Sequence, residues 1–275
     1  MTKTANDLLF GYVESRYGQL HYAECGAGDV VLMLHQTPRS WTEFRLVLPL
    51  VGARFRAVAM DTLGFGASAK PDEPHSVERW ADAAEDLVDS LGAERFHLVG
   101  HHTGAVIAVE LAVRHPERVA SLLLSSAPYI DEARRTGSHR HPPIDLVEPA
   151  PDGTHLAELW NRRRGFYRPG EEDSLRCYVI DALTVRDRAE EGHEALSRYP
   201  MEDRLPLVTS RTLAICGGDD VYALPSLPRI AAALGCETRV VKGAHVPLPE
   251  QRHEEFSALV LEWAGTVQGA PSANS

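Results

Sequence analysis

Hydrophobic and polar positions follow two alternating patterns along this chain. Short continuous apolar runs, such as residues 30–34, are typical of strands in a sheet that is covered on both faces. Longer segments, such as residues 76–91, repeat apolar residues every three or four positions, which is typical of a helix with one buried face. The alternation of the two patterns predicts an α/β fold with a mostly parallel, doubly wound sheet.

The apolar runs predict eight strands, of which the first two form a pair. Their ranges are 13–17, 19–24, 30–34, 56–60, 96–99, 119–124, 212–216 and 238–241. Helices are predicted at 40–51, 76–91, 225–234 and 250–263, and a further helix is predicted to end near residue 115. Ser40 is the expected N-cap of the first helix, because its side-chain oxygen can accept from a free amide of the first turn.

The strand pattern is interrupted between residues 129 and 209. This stretch contains only helical candidates, at 154–167, 172–184 and 188–199. An all-helical insertion in an open α/β sheet is expected to form a lid over the carboxyl ends of the strands, where ligands bind. We therefore predict a core of residues 1–128 and 210–268, a helical cap of residues 129–209 and a flexible tail of residues 269–275.

Composition narrows the range of partners. The chain has 275 residues, 44% of them hydrophobic, and a formal net charge of −11, which argues against binding to nucleic acid. Its four cysteines show no paired spacing, which favours a reducing cytoplasm, and no apolar run has the length of a membrane span. We expect a small-molecule substrate, no nucleic-acid or membrane partner, and a monomer or homodimer.

Four short motifs follow the ends of predicted strands. They are His35-Gln36-Thr37-Pro38, the turn DTLGFGAS at 61–68, the pentad Gly100-His101-His102-Thr103-Gly104, and the late pair Gly217-Gly218-Asp219-Asp220 and Gly243-Ala244-His245. A glycine-x-residue-x-glycine pentad between a strand and a helix lifts its central side chain out of a tight turn. Here that side chain is the imidazole of His102.

In this order and at these spacings, the motifs resemble those of the α/β-hydrolase superfamily, in particular its lidded esterases, epoxide hydrolases and haloalkane dehalogenases. The resemblance covers nearly the whole chain outside the insertion. It implies an eight-stranded sheet of α/β-hydrolase type with an inserted helical lid, and no cofactor. It also implies that Asp220 is the acid that orients the base His245, with Asp219 as a rival carboxylate, and that the backbone amides of Thr37 and Thr103 form the oxyanion hole.

The chain departs from this family at the elbow itself. The family places serine, aspartate or cysteine at the centre of the pentad, whereas this chain has His102. An ordinary serine acyl-enzyme is therefore excluded. Thr103 is a poor replacement, because the elbow projects only its central residue.

Three chemistries are open to His102. Its imidazole can attack an activated acyl group directly, with His245 and Asp220 then activating the water that clears the intermediate. Alternatively, His102 and His245 act as an acid/base pair that moves protons without a covalent bond to substrate. In the third, His35, His101, His102 and His245 bind a metal, but their spacing lacks a ligand pattern and we predict no metal.

The remaining predicted site residues are expected to line a small, largely apolar pocket. They are His35, Gln36, His101, Trp160, Tyr167, Tyr222 and Val246. Taken together, these observations predict a hydrolase that cleaves an ester, lactone or thioester through an atypical site formed by His102, Asp220 and His245. The alternatives are a lyase, cyclase or cofactor-free oxygenase that uses the histidine pair for proton transfer, and a ligand-binding protein without turnover.

Overall fold

The computed structural model describes residues 7–136, 143–185 and 188–266, and within them eight strands form one sheet in the order β1-β2-β4-β3-β5-β6-β7-β8. The strands are β1 Leu9–Ser15, β2 Gly18–Cys25, β3 Val30–Leu34, β4 Arg56–Met60, β5 Phe96–His101, β6 Val119–Ser125, β7 Thr212–Gly217 and β8 Glu237–Val241. The pairs β1/β2 and β2/β4 are antiparallel, and the other pairs are parallel. This confirms the predicted eight-stranded, mostly parallel α/β sheet.

Helices flank the sheet. They are α1 Leu48–Gly52, α2 Val77–Ser90, α3 Thr103–Arg114, α4 Glu132–Thr136, α5 Thr154–Arg163, α6 Glu172–Val185, α7 Glu191–Arg198, α8 Met201–Arg204, α9 Leu227–Leu234, α10 Leu248–Gln251 and α11 His253–Gly265. Helices α4 to α8 follow β6 and precede β7, the stretch in which the sequence predicts a helical insertion. Its assignment as a cap remains a prediction, and the predicted tail 269–275 lies outside the described residues.

The core lies on both faces of the sheet, as the continuous apolar strands require. On β3, Leu32 and Leu34 pack in one cluster with residues of α2 and α3, whereas Val31 and Met33 pack in another with residues of α1 and α11. All five residues of β3 are buried, because successive side chains point to opposite faces and each face is covered. The carboxyl ends of β3, β5 and β7 thus lie on a rigid base.

Two predicted elements need correction. The predicted helix 40–51 is a 3-10 turn, Trp41–Phe44, followed by α1, and Pro49 lies in the first turn of α1, where its missing N–H costs nothing. Ser40 does cap this 3-10 turn, because its Oγ accepts from the amide of Thr42. The first strand ends at Ser15 and not at Tyr17, since Gly18, with φ of 110°, allows the tight turn into β2.

The two glycines of the pentad after β5 lie so close to neighbouring backbone that neither position has room for a Cβ. A Cβ added to Gly104 would lie 1.9 Å from the carbonyl oxygen of Leu34, and one added to Gly100 would lie 2.3 Å from the carbonyl oxygen of Gly104. The two glycines therefore let α3 begin directly against β3. This close approach is what fixes the direction in which the residue between them points.

Gly104→Ala is expected to destabilise the fold by about 3 kcal/mol or more, because the added methyl meets backbone that cannot move away. The measurement is the midpoint of thermal unfolding, which should fall by roughly 6–12 °C. Gly165→Ala is the matched control, since a Cβ there meets nothing within 4 Å. Equal unfolding midpoints for the two variants would contradict this account of the elbow.

Candidate active site

His102 occupies the tight turn between β5 and α3. Its backbone has φ of 46° and ψ of −110°, a combination that L-residues rarely adopt, and it is the residue immediately before α3. Its amide donates to the carbonyl of Ser125 at the end of β6, at 2.9 Å. The strained turn is thus anchored to the neighbouring strand.

The imidazole of His102 reaches the loop after β7. Its Nε2 lies 2.9 Å from Oδ2 of Asp220, whose side chain is fully buried. The other carboxylate oxygen, Oδ1, accepts from the amides of Tyr222 at 3.2 Å and Ala223 at 3.0 Å. Because a carboxylate can only accept, Nε2 of His102 carries a proton, and in the neutral ring Nδ1 therefore holds the free lone pair.

The surroundings of Asp220 favour its ionised form. Burial raises the pKa of this carboxyl group, but the hydrogen bond and charge of His102 outweigh that effect, together with hydrogen bonds from the Ala223 amide and the Ser126 hydroxyl. The net result is a pKa of Asp220 well below its ordinary value. Asp220 is thus a permanent negative charge against which the His102 ring is held.

The structure places His245 differently from the sequence prediction, which paired it with Asp220. His245 Nε2 lies 3.9 Å from Oδ2 of Asp219, and both side chains are partly exposed. An imidazole extends several bonds further from its Cβ than a serine hydroxyl does. His102 therefore reaches Asp220 itself, and the rival carboxylate Asp219 is the one that faces His245.

His101 is fully buried and holds neighbouring segments together. Its Nε2 lies 2.9 Å from the carbonyl oxygen of Val246 and must donate to it, so Nδ1 accepts from the hydroxyl of Ser125 at 2.9 Å. Burial, reinforced by the charge of His102, lowers the pKa of His101 well below its ordinary value. The substrate contact of His101 stays a prediction, and both of its ring nitrogens are bonded within the protein.

The substrate contact of His35 stays a prediction, and its ring is likewise bonded within the protein. Its Nε2 accepts from the amide of Thr62 at 2.9 Å, so its Nδ1 donates to the carbonyl of Gln36 at 2.8 Å. Burial lowers the pKa of His35, which keeps the ring neutral in this arrangement. His35 therefore shapes the loop after β3 and leaves no ring nitrogen for substrate.

Gln36, the residue that replaces the family's glycine, is bound to the buried carboxylate of Glu43. Its backbone amide lies 2.9 Å from Oε2 of Glu43, and its side-chain Nε2 lies 2.6 Å from Oε1. The contact between the Gln36 amide group and substrate stays a prediction, with the side-chain nitrogen held by Glu43. Glu43 was not anticipated from the sequence, where it is one acidic residue among many.

The two predicted oxyanion donors lie side by side. The amide of Thr37 donates to Oγ1 of Thr103 at 3.2 Å, and Thr103 is the first residue of α3. Its own backbone amide belongs to the first turn, in which amides have no partner inside the helix. The structure therefore brings the predicted pair together, with a hydroxyl between them that the sequence prediction did not include.

The other predicted pocket residues lie in the Asp220 loop, in the His245 loop and in or just after α5. Tyr222, in the Asp220 loop, is exposed and has its ring centroid 5.9 Å from that of Phe166. Tyr167 follows α5, with its ring centroid 6.5 Å from that of Tyr178. Val246 contributes the carbonyl that His101 binds, and Trp160 is half-buried on α5.

Gln251 is a site residue that sequence reasoning missed. Its Oε1 accepts from the backbone amide of His245 at 2.8 Å, while its Nε2 donates to the carbonyl of Phe166 and to Oε2 of Glu171. This side chain connects the His245 loop to the segment between α5 and α6. A glutamine on a short amphipathic helix gives no signal of such a role.

No group of three or more His, Cys, Asp or Glu side chains within the described residues is arranged to hold a metal ion. Across the same part of the chain, no helix has both the length and the apolar character needed to cross a membrane.

The model of the alpha/beta hydrolase fold family matches residues 29–250, and the chain therefore belongs to that family. It is 32% identical to 2-hydroxymuconate semialdehyde hydrolase of Pseudomonas sp. (strain CF600), over 70% of this chain and 76% of that protein. It is also 32% identical to bifunctional epoxide hydrolase 2 of Rattus norvegicus, over 45% of this chain and 23% of that protein. A solved hydrolase from Pseudomonas aeruginosa PA01 has the same fold, with a TM-score of 0.77 and 20% identity over 93% of this chain and 98% of that chain. These relatives are hydrolases, and the predicted family and fold are confirmed.

Glu43→Gln is expected to change how stability depends on pH. Burial raises the pKa of Glu43 from 4.5 to about 7, although Arg39 and the bonds from Gln36 oppose this. The folded protein therefore keeps a proton that the unfolded chain releases, so the free energy of unfolding should decline as the pH rises from about 4.5 to about 7. The variant should lose this decline, which amounts to roughly 3 kcal/mol.

The measurement is urea unfolding between pH 4.5 and pH 8 for the wild type and for the variant. Glu94→Gln, at an exposed position, serves as the control and should retain the wild-type dependence. Parallel pH curves for the wild type and Glu43→Gln would contradict the assignment.

Proposed function

We propose that this protein hydrolyses a small, largely apolar substrate with an activated carbonyl group, such as an ester, a lactone or a thioester. The observation that carries the proposal is the 2.9 Å contact between His102 Nε2 and Asp220 Oδ2. The contact supports the proposal because it orients an imidazole against a carboxylate at the elbow, where the family has its nucleophile. His102 is then the base of the reaction. Asp220, at the position of the acid that orients a separate histidine in the family, orients His102 directly.

The orientation of the ring favours activation of water over direct attack. With Nε2 bonded to Asp220, the nitrogen left for chemistry is Nδ1, which adjoins the ring carbon that carries the side chain and is therefore the more hindered of the two. A water molecule needs less room at this atom than a carbonyl carbon does. In the proposed step Nδ1 takes a proton from water, the water oxygen bonds to the carbonyl carbon, and the carbonyl oxygen becomes an oxyanion.

Collapse of the tetrahedral intermediate breaks the bond to the leaving oxygen or sulfur, which takes up a proton. His102 can return the proton that it removed from water, so the step balances without a further reagent. His245 is a second candidate donor, because its side chain is partly exposed and lies near Asp219, with Nε2 3.9 Å from Oδ2. The site thus has two histidines with separate carboxylates.

The substrate class draws support from the relatives. The name of the Pseudomonas sp. protein denotes a hydrolase of a semialdehyde, and another relative, 28% identical over 75% of this chain, is named 2-hydroxy-6-oxo-2,4-heptadienoate hydrolase. Both names denote carbonyl compounds. The cytoplasmic location, the cap over the site and the absence of a nucleic-acid partner belong to the proposal as inferences from the sequence.

Asp220→Asn is expected to lower kcat for p-nitrophenyl acetate and for small lactones by about a thousand-fold, because the amide no longer holds the ring of His102 in the productive tautomer. Asp219→Asn is the matched control and should lower kcat by no more than a few-fold. Initial rates with unfolding midpoints for each variant provide the comparison. A larger loss from Asp219→Asn would assign the base to His245 instead.

His102→Ser distinguishes activation of water from covalent catalysis. The wild type is expected to show no acyl adduct by intact mass during turnover, since water attacks directly. In the variant, Asp220 is free for His245, and we expect a burst of p-nitrophenol with an acyl adduct at position 102. An adduct on the wild-type imidazole would establish His102 as the nucleophile, and absence of turnover with all esters and lactones would favour a lyase or a binding protein.

A further inference from the structure

The hydroxyl of Thr103 has an unusual position at the oxyanion hole. Its oxygen accepts from the backbone amide of Thr37 at 3.2 Å, and its side chain is buried. A hydroxyl that accepts one hydrogen bond still has a proton to donate. Within the described residues, no acceptor takes that proton.

We propose that the Thr103 hydroxyl is itself the oxyanion donor, an inference that rests on the proposed function. In this arrangement, the relay, the hydroxyl accepts from the Thr37 amide and donates its own proton to the substrate oxygen. The family arrangement uses the backbone amide at the position of Thr37 directly. In this chain that amide points at the Thr103 oxygen and polarises the O–H bond. The oxyanion then meets the hydroxyl of Thr103 together with the Thr103 backbone amide, which as part of the first turn of α3 has no partner inside the helix.

Two contacts keep Thr37 in the position that this relay requires. A Cβ added to Gly192 on α7 would lie 2.4 Å from both Oγ1 and Cγ2 of Thr37, so α7 packs tightly on this side chain. On the other side, Glu43 binds both the backbone and the side-chain amide of Gln36. With the loop held from both directions, the Thr37 amide is not free to swing away from Thr103 toward substrate.

The same geometry argues against two other roles for Thr103, namely a nucleophile and a group that only fills the oxyanion hole. As a nucleophile, the hydroxyl would need a lone pair directed at the substrate and a base to take its proton, but the Thr37 amide withdraws density from that oxygen. As a filling group, the Thr103 hydroxyl would occupy the oxyanion hole only until substrate displaced it. In that case its removal would expose the Thr37 amide and raise the rate.

The test compares Thr103→Val with Thr103→Ser. The valine variant keeps the shape and lacks the hydroxyl, so kcat for p-nitrophenyl acetate should fall about a hundred-fold with KM little changed. The serine variant keeps the hydroxyl and should recover most of this loss. Thr212→Val is the matched control, because Thr212 is a buried threonine whose hydroxyl donates to the carbonyl of Ser210, outside the site.

A second measurement separates this inference from the proposed function. Phenyl methylphosphonate monoanion, a tetrahedral anion that carries its charge on oxygen, is titrated into the wild type and the variants by calorimetry. Weaker binding to Thr103→Val but not to Thr103→Ser or Thr212→Val supports the relay, even if the wild type hydrolyses no ester.

Three outcomes would overturn the relay. The first is an unchanged or higher kcat in Thr103→Val, and the second is phosphonate binding that does not depend on the hydroxyl. The third is a wild type that neither turns over esters nor binds the phosphonate, which would overturn the proposed function as well.

Discussion

The positive φ of His102 is the constraint on which the rest of the site depends. A residue with a Cβ adopts φ of 46° and ψ of −110° only where surrounding contacts impose it, at a cost of roughly 1–3 kcal/mol. Here the imposing contacts are those of Gly100 and Gly104, which bring α3 against β3, and the bond from the His102 amide to β6. The packing of the core compensates for this strain. As a result, a single side chain projects from the turn at the carboxyl edge of the sheet.

The length of that side chain determines which histidine Asp220 binds. A serine at this point needs a separate histidine to bridge the distance to the acid. An imidazole spans the distance itself, so Asp220 is taken by His102 and the later histidine, His245, turns to Asp219. In this chain the two carboxylates after β7 are thus divided between two histidines, His102 on the elbow and His245 after β8.

Much of the fold could be predicted from the sequence because it depends on local pattern. The apolar runs identify the strands, and the glycines of the pentad indicate the elbow, since both signals lie within a few residues of the feature. The partner of Asp220 could not be predicted, because two histidines compete for it and the outcome depends on how far each ring reaches in three dimensions. The bonds of His101 to Ser125 and Val246, and those of Glu43 to Gln36, likewise depend on how loops meet in three dimensions, for which one sequence gives no periodic signal.

A buried charge network holds the loop after β3, which carries the predicted oxyanion donor Thr37. Arg39 is fully buried beside Glu43 and pairs with Asp181 of α6 at 2.9 Å and with Glu250 of α10 at 2.8 Å. Buried charges are tolerated only when their pairing is nearly complete, so the loop after β3 cannot shift without leaving a charge unpaired.

The groups proposed to stabilise charge are therefore held rigidly, and the two histidines proposed to move protons are partly exposed. The side chains of His102 and His245 are 16% and 33% exposed, whereas those around Arg39 have almost no exposure. Such a division suits hydrolysis, because fixed dipoles stabilise a developing oxyanion without reorganising while the water that attacks must still reach its base.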